Sequence, residues 1–329
     1  MDRSRQPLFL HLHGFDSDLL DTCVADNAVT RHMQIGPGRL DGELGRIPLA
    51  TGTLHTCRHS VEVRVQGQFP SGHVFLLVCL DVPARSRILG REVARDTVVA
   101  FGPGTIVNNL YGAGMCWAGL SVPVGVFAHA VRGGSALEAV VGTGTTIIQQ
   151  PKHSVIAALR AALMSVTHFA RRQPERFNDA HWQSSAERNL LDAYFTAFDS
   201  PIDDQRTNLA EPSHADTIVR TLDRYLDTVN GMVPVAELCR VVHLPRRTLE
   251  RAYRQTLNLG PAEYVRRRAL NAVRRELLHG IGTTGSITET AMRHGFWHLG
   301  RFAGYYRTLF GESPSATLHR HARTALHTV

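Results

Sequence analysis

The feature that most narrows what this chain can fold into is a two-helix pattern that occurs twice in its last hundred residues. Val233-Pro234-Val235-Ala236-Glu237-Leu238-Cys239-Arg240-Val241-Val242 predicts a short helix with apolar positions at Val235, Leu238 and Val242. His243-Leu244-Pro245 supplies a turn. Arg246 to Leu257 then predicts a second helix with Leu249, Ala252 and Tyr253 inward and Arg246, Arg247, Glu250, Arg251 and Arg254 outward. A short helix, a tight turn and a helix with an arginine-rich outer face make a helix-turn-helix, whose second helix fills a groove about 12 Å wide. The pattern returns at Ile287 to Phe296, with Gly295 at the turn, and in a helix from about His298 to Phe310 that puts Phe302, Tyr306 and Phe310 inward. Between the two units, Pro261 to His279 predicts a helix with Tyr264, Val265, Ala269, Ala272, Val273 and Leu277 on one face. At 1.5 Å per residue it is a strut of about 28 Å, able to hold two recognition helices roughly one DNA turn apart.

Charge follows the same division. The formal net charge is +7 over 329 residues. Residues 1–212 carry 19 basic and 20 acidic side chains, whereas residues 213–329 carry 17 and 9. The whole excess lies in the last third, which suits either a polyanion partner or a solvated basic surface. Lys152 is the only lysine, so arginine carries the positive charge.

The first section, to about residue 122, reads as β. Short strand-like runs at Leu40–Leu49, Val61–Val65, Val74–Leu80, Thr97–Phe101 and Gly114–Val122 are separated by glycine and proline, including Gly36-Pro37-Gly38 and Gly102-Pro103-Gly104. That spacing predicts an antiparallel sandwich or small barrel. The period then becomes helical. Lys152 to Arg172 and Asp179 to Phe198 each place apolar residues three and four apart, joined by Gln173-Pro174-Glu175, which predicts a helical hairpin serving as core packing or as a dimer seam. Ser213 can cap a helix running to Asn230, with Gly231 ending it.

The C-terminal residues resemble the AraC/XylS-type transcription regulators. Gly295-Phe296 followed by Phe302, Tyr306, Arg307, Phe310-Gly311-Glu312-Ser313-Pro314 and Leu318 looks like that family's C-terminal signature. Val235 to Cys239, Leu249-Glu250-Arg251 and Leu259 to Tyr264 match the first half. The resemblance implies an α+β chain. Residues 1–205 would form a cupin-like antiparallel β domain with the helical hairpin, for effector binding or dimerisation. Residues 206–212 would be a linker, and 213–320 an all-α DNA-binding domain with two helix-turn-helix units.

By motif position the first base-reading helix falls on Arg246, Arg247, Thr248, Glu250, Arg251 and Arg254. Arg247 and Arg251 are the candidates for guanine, and Glu250 for a cytosine amino group. The second surface falls on Trp297, His298, Leu299, Gly300, Arg301 and Gly304, with Arg301 and Arg307 as its charged contacts. Gly300 stands where the family often has serine and Gly304 where it often has arginine, so this unit is expected to read more weakly or by shape. The implied function is a DNA-binding regulator, an activator by family habit, with RNA polymerase, a small-molecule effector and a second copy as partners.

Other readings leave fainter marks. His11-x-His13 and His55-x-Cys57-x-His59 contain metal-ligand types, but neither is followed by the glutamate and histidine of a cupin metalloenzyme. Gly142-Thr143-Gly144-Thr145-Thr146 lacks the lysine of a phosphate loop and reads as a flexible turn. A DNA-alkylation repair protein would need an activated cysteine, and Cys239 sits at an apolar position expected to be buried. The expectation is a non-enzyme without metal or cofactor. Trp117, Arg39 and His55 are conceivable effector contacts, each with packing or surface exposure as the alternative. Five single cysteines, no apolar run of membrane length and no secretory leader predict a cytoplasmic chain that does not enter membranes.

Overall fold

Strand period explains the architecture. In the central strands both faces are apolar, and alternate residues enter two different cores. Val74, Leu76, Val78, Val98, Ala100, Ala118, Leu120 and Val122 belong to one, and Phe75, Leu77, Cys79, Val99, Phe101 and Trp117 to the other. The computed structural model describes residues 6–23, 29–131, 133, 135–142, 145–200, 207–209, 213–229, 231–279 and 286–326.

The larger sheet has eight antiparallel strands in the order β1 (Leu8–His13), β3 (Asp41–Pro48), β4 (Thr53–His59), β11 (Cys116–Pro123), β6 (His73–Asp81), β9 (Val98–Phe101), β12 (Thr146–Gln149) and β13 (Thr207–Leu209). The smaller sheet has five, in the order β2 (Val29–Gln34), β5 (Val63–Gln68), β10 (Ile106–Tyr111), β7 (Ser86–Ile88) and β8 (Arg91–Val93). The antiparallel β section is thus present, with more strands than the sequence announced. The edge strand β13 falls within the stretch expected as a linker and pairs Ile147 with Asn208. Of the glycine-rich 142–146 segment, Thr146 opens β12, while 143 and 144 lie outside the described residues.

Between the sheets the core is aromatic. Phe69 lies 5.0 Å from both Phe75 and Phe101, and Trp117 lies 6.3 Å from Phe75 and 6.2 Å from Tyr111. Gly119 is required here, because a Cβ at that position would stand 2.2 Å from the Phe75 ring. On the outer face of the larger sheet lie α2 (Val124–Ala130), α3 (Glu138–Gly142) and the hairpin of α4 (His153–Arg172) and α5 (Ala180–Asp199), joined by a 3₁₀ turn at Pro174–Asn178. Both hairpin helices stand where their periodicity put them, and Asp179 caps α5 by accepting from His181 and Trp182 N–H groups. Glu187 of α5, buried, accepts from Thr51 N (2.8 Å) and Gly52 N (3.0 Å), fixing the hairpin to the β3–β4 turn. α1 (Ser17–Cys23) connects β1 to β2.

The helices of the last third are α6 (His214–Thr228), α7 (Val235–Val242), α8 (Arg246–Leu257), α9 (Pro261–Leu278), α10 (Ile287–Arg293), α11 (Leu299–Phe310) and α12 (Pro314–Leu326). α6, α7, α8 and the start of α9 pack on the outer face of the smaller sheet, where Met33, Ile35 and Leu110 join their core, whereas the end of α9, α10 and α11 share a core with Leu12, Phe15, Leu20 and Leu40. Ser213 caps α6 through Asp216 N, and Gly231 beyond the helix has φ +84°.

Candidate nucleic-acid interface

Two helix-turn-helix units share one strut. In the first, Leu238 of α7 and Leu249, Ala252 and Tyr253 of α8 are buried together with Val219, Leu222 and Leu226 of α6. His243 closes α7 in the left-handed region (φ 52°), which turns the chain sharply into Pro245 and α8. In the second, Ser286 and Glu289 form a capping box at the start of α10, and Ala291, Phe296, Phe302, Tyr306 and Phe310 make the small core. Gly295 at its turn has φ +86°, and a Cβ there would lie 2.9 Å from Met232 N, so both backbone angle and space demand glycine. Along α9, Tyr264 and Val265 belong to the first unit's core and Ala269, Leu270, Val273 and Leu277 to the second's.

α8 and α11 correspond position by position. Each has 12 residues and ends on a left-handed residue, Asn258 or Gly311, whose N–H returns to Arg254 O or Arg307 O. Leu249 matches Phe302 and Tyr253 matches Tyr306, all buried. The outward positions then pair Arg246 with Leu299, Arg247 with Gly300, Thr248 with Arg301, Arg251 with Gly304 and Arg254 with Arg307.

The structure brings the sequence-predicted residues to two exposed faces. Arg246, Arg247, Arg251 and Arg254 are exposed, with Thr248 and Glu250 half-buried beside them. Arg246 Nε donates to Glu250 Oε1 at 2.8 Å, so these two occupy each other in the free protein. Arg247 and Arg251, one turn apart, stand clear of that pair. On the second face Trp297, His298, Leu299, Arg301 and Arg307 are all exposed, Trp297 at 72%.

Part of the positive charge of the last third lies away from these faces, on α9. The five arginines of α9 are engaged within the protein. Arg266 and Arg267 pair with Glu263, and Arg268 pairs with Asp227 (2.7 Å). Arg274 pairs with Glu312 (2.8 Å) and Arg275 with Asp18 (3.4 Å).

The seam between the sheets and the helical units has no local signature in the sequence. Arg64 of β5 is fully buried; its Nη2 donates to Asp223 Oδ2 at 2.6 Å, its Nε to Asn108 Oδ1 at 2.9 Å, and its Nη1 to the Tyr264 hydroxyl. Asn108 Nδ2 in turn donates to Asp216 Oδ1 at 2.5 Å. Burial works against the Arg64 charge, but Asp223 and Tyr264 outweigh it and hold the guanidinium more firmly protonated than usual. The second unit is tied separately. Gln34 Nε2 donates to Leu309 O (2.5 Å), Gly38 N to Thr308 O (3.1 Å) and Arg274 Nε to Phe15 O (2.5 Å).

The remaining candidates separate. Trp117 and His55 are buried between the sheets, whereas Arg39 is exposed beside Gly311 in the seam. His11 and His13 are exposed on β1, while His59 is buried, its ring pushed down to about 4 by burial. Among the described residues no three His, Cys, Asp or Glu side chains gather as a metal site. Cys239, expected to be buried, is half-buried, packed at the margin of the first unit's core. A groove of about 540 Å³ lies between α4 and the larger sheet, lined by Leu80, Ala118, Leu163 and Met164 with Arg58 and His168. No described helix is long and apolar enough to cross a membrane.

Residues 238–320 match the family model described as a helix-turn-helix domain. The chain is 37% identical over 95 residues to XylDLEGF operon transcriptional activator 2 of Pseudomonas putida, covering 29% of this chain and 60% of that protein. It is 35% identical over 117 residues to the probable thc operon regulatory protein of Rhodococcus erythropolis, covering 35% of each. The chain therefore spans less than two thirds of the length of these curated relatives. The solved structure of the AraC-like transcriptional activator CuxR aligns over 80% of this chain and 94% of its own, with 11% identity and a TM-score of 0.44.

Proposed function

We propose that the chain, whose residues 238–320 match the helix-turn-helix domain model, is a sequence-specific DNA-binding transcription regulator of the AraC/XylS type, an activator, rather than an enzyme. The observation that carries the proposal is the matched pair of recognition helices, each buried on the same face and bare on the other, held on one strut. α8 supplies the hydrogen-bonding reader, with Arg247 and Arg251 directed at guanine and Arg254 at phosphate. Its natural location is the cytoplasm, beside the chromosome. RNA polymerase is the protein partner that activation requires.

The domain of residues 1–205 is the input and 213–320 the output, joined through 206–212. Aromatic rings pack the space between the sheets, so the room for a small effector is the groove under α4 rather than the barrel interior. A second copy of the chain against the hairpin is the other possible input. Either acts only by binding one arrangement of the two domains more tightly than the other.

Selection of bound sequences from random duplexes by the full-length protein, repeated across salt concentrations, tests the proposal. Two enriched boxes about one helical turn apart are expected. Binding without an enriched motif, lost steeply with salt, would reduce the basic face to a nonspecific polyanion surface.

A further inference from the structure

We propose that the second unit reads thymine by its methyl group, with Trp297 as the probe. The inference rests on the reading of the chain as a sequence-specific DNA-binding protein and deepens it at one surface.

The correspondence of α8 and α11 shows what the second surface lacks. Where α8 offers guanidinium groups at Arg247 and Arg251, α11 has Gly300 and Gly304, and a Cβ at either glycine would meet nothing within 4 Å. Arg301 is the one outward guanidinium in the first two turns of α11. Hydrogen-bond readout of the α8 kind is therefore missing from the centre of this face.

At the entrance of the helix, on either side of the exposed His298, stand two apolar side chains. Trp297 is 72% exposed and Leu299 37%, immediately before and at the start of α11. The residue in the place of Trp297 in the first unit is Leu244, which is half-buried against that unit's core. An indole that leaves its own core and stands at the entrance of a recognition helix is positioned for the groove. Arg301 and Arg307, exposed on the same helix, supply the charge that brings the face to phosphate. In the major groove the thymine C5-methyl is the only base-edge group that rewards apolar contact; all others are hydrogen-bond donors or acceptors. The chemistry of Trp297 and Leu299 thus selects thymine.

The test starts from the duplex selected by the full-length protein. Thymines are replaced by uracil in one box at a time, which removes the methyl and leaves every hydrogen bond. A lost methyl contact is expected to weaken binding about fourfold, from about 0.8 kcal/mol per buried carbon. The loss should be confined to one box and should vanish in Trp297→Ala, whose exposed side chain leaves the fold and the other box unaffected. Three results overturn the inference while leaving the chain a specific DNA-binding protein: a second box without thymine, uracil tolerated in both boxes, or a uracil effect that persists in Trp297→Ala. Failure to enrich any motif removes the DNA-reading proposal itself.

Discussion

The buried contact between Arg64 and Asp223 makes a quantitative prediction. The Arg64 side chain has no exposed surface and that of Asp223 6%, so solvent screens neither. Replacing Asp223 by Ala deletes the carboxylate that accepts from both Arg64 Nη atoms, from Gln66 and from the Tyr264 hydroxyl. Asn108 still accepts from Arg64 and Asp216 stands behind it, but the charge loses the carboxylate it directly touches, and losses of about 3–5 kcal/mol are usual for such a break. Arg64→Met should cost less, about 2–3 kcal/mol, because Gln66 and Tyr264 still donate to the stranded carboxylate.

The double variant Arg64→Met with Asp223→Leu removes both charges and should recover much of the loss. A coupling energy of about 2 kcal/mol or more is expected from the cycle. Urea unfolding followed by tryptophan fluorescence reads it, since Trp117 is buried between the sheets. With a slope of roughly 2–3 kcal/mol/M, Asp223→Ala should lower the midpoint by about 1–2 M. Single variants each costing under about 1 kcal/mol, or strictly additive effects, would refute the claim that this pair is desolvated and holds the seam.

Other outcomes follow from individual residues. Arg251→Ala should lose about 1–3 kcal/mol of binding and relax preference at one base pair, while Arg254→Ala should weaken all sequences alike and reduce the salt slope by about 1; binding titrations across salt separate the two. Gly295→Ala should destabilise by more than about 1 kcal/mol in thermal unfolding, because the backbone angle and the contact with Met232 both reject a Cβ. Burial alone would raise the Glu312 carboxyl, but Arg274, Thr317 and Arg320 hold it below its ordinary value. Its contribution is therefore complete above the ordinary carboxylate pKa, near about 4, and is lost as pH falls through the lowered folded value. Glu312→Gln should accordingly differ from the parent at about pH 7 and converge on it only as the pH falls through the lowered folded value, as followed by thermal midpoints.

Local period made the helical units legible. The residues assigned inward in α8 and α11 from their three- and four-residue spacing are the ones buried there. The sheets were less legible. β3, β6, β9, β11 and the start of β5 announced themselves as apolar runs, but β2 and β10 carry polar residues among their apolar ones, β7 and β8 are three residues each, and β1 is a half-exposed edge. In β5 the sequence Val63-Arg64-Val65-Gln66 reads as an ordinary half-solvated strand, when its polar face is in fact covered by α6 and α9. Nothing local distinguishes Arg64 from a surface arginine, because its partner lies 159 residues away. The candidate DNA residues were found by motif position and their exposure agrees with it. The mutual pairing of Arg246 and Glu250 and the outward stance of Trp297 required coordinates.

The division of the arginines carries the last step. α8 keeps its guanidinium groups outside, while α9 spends its own on Glu263, Asp227, Glu312 and Asp18. Two of those partners sit off the strut in the helical part, and Asp18 sits in the N-terminal domain. The strut that sets the spacing of the recognition helices is thus also the element against which the sheets lean. Its N-terminal half meets β5 through Tyr264 and Arg64, and its C-terminal half meets the β1–α1 turn through Arg274 and Phe15 O. α11 is tied to the end of β2 through Gln34, whereas Asn258, at the end of α8, is tied to β7 through Arg87. A change in the sheets that moved β2 relative to β5 would therefore act unequally on the two readers. If α11 is the apolar reader proposed above, with fewer charges to hold it on DNA, it is the one placed to respond.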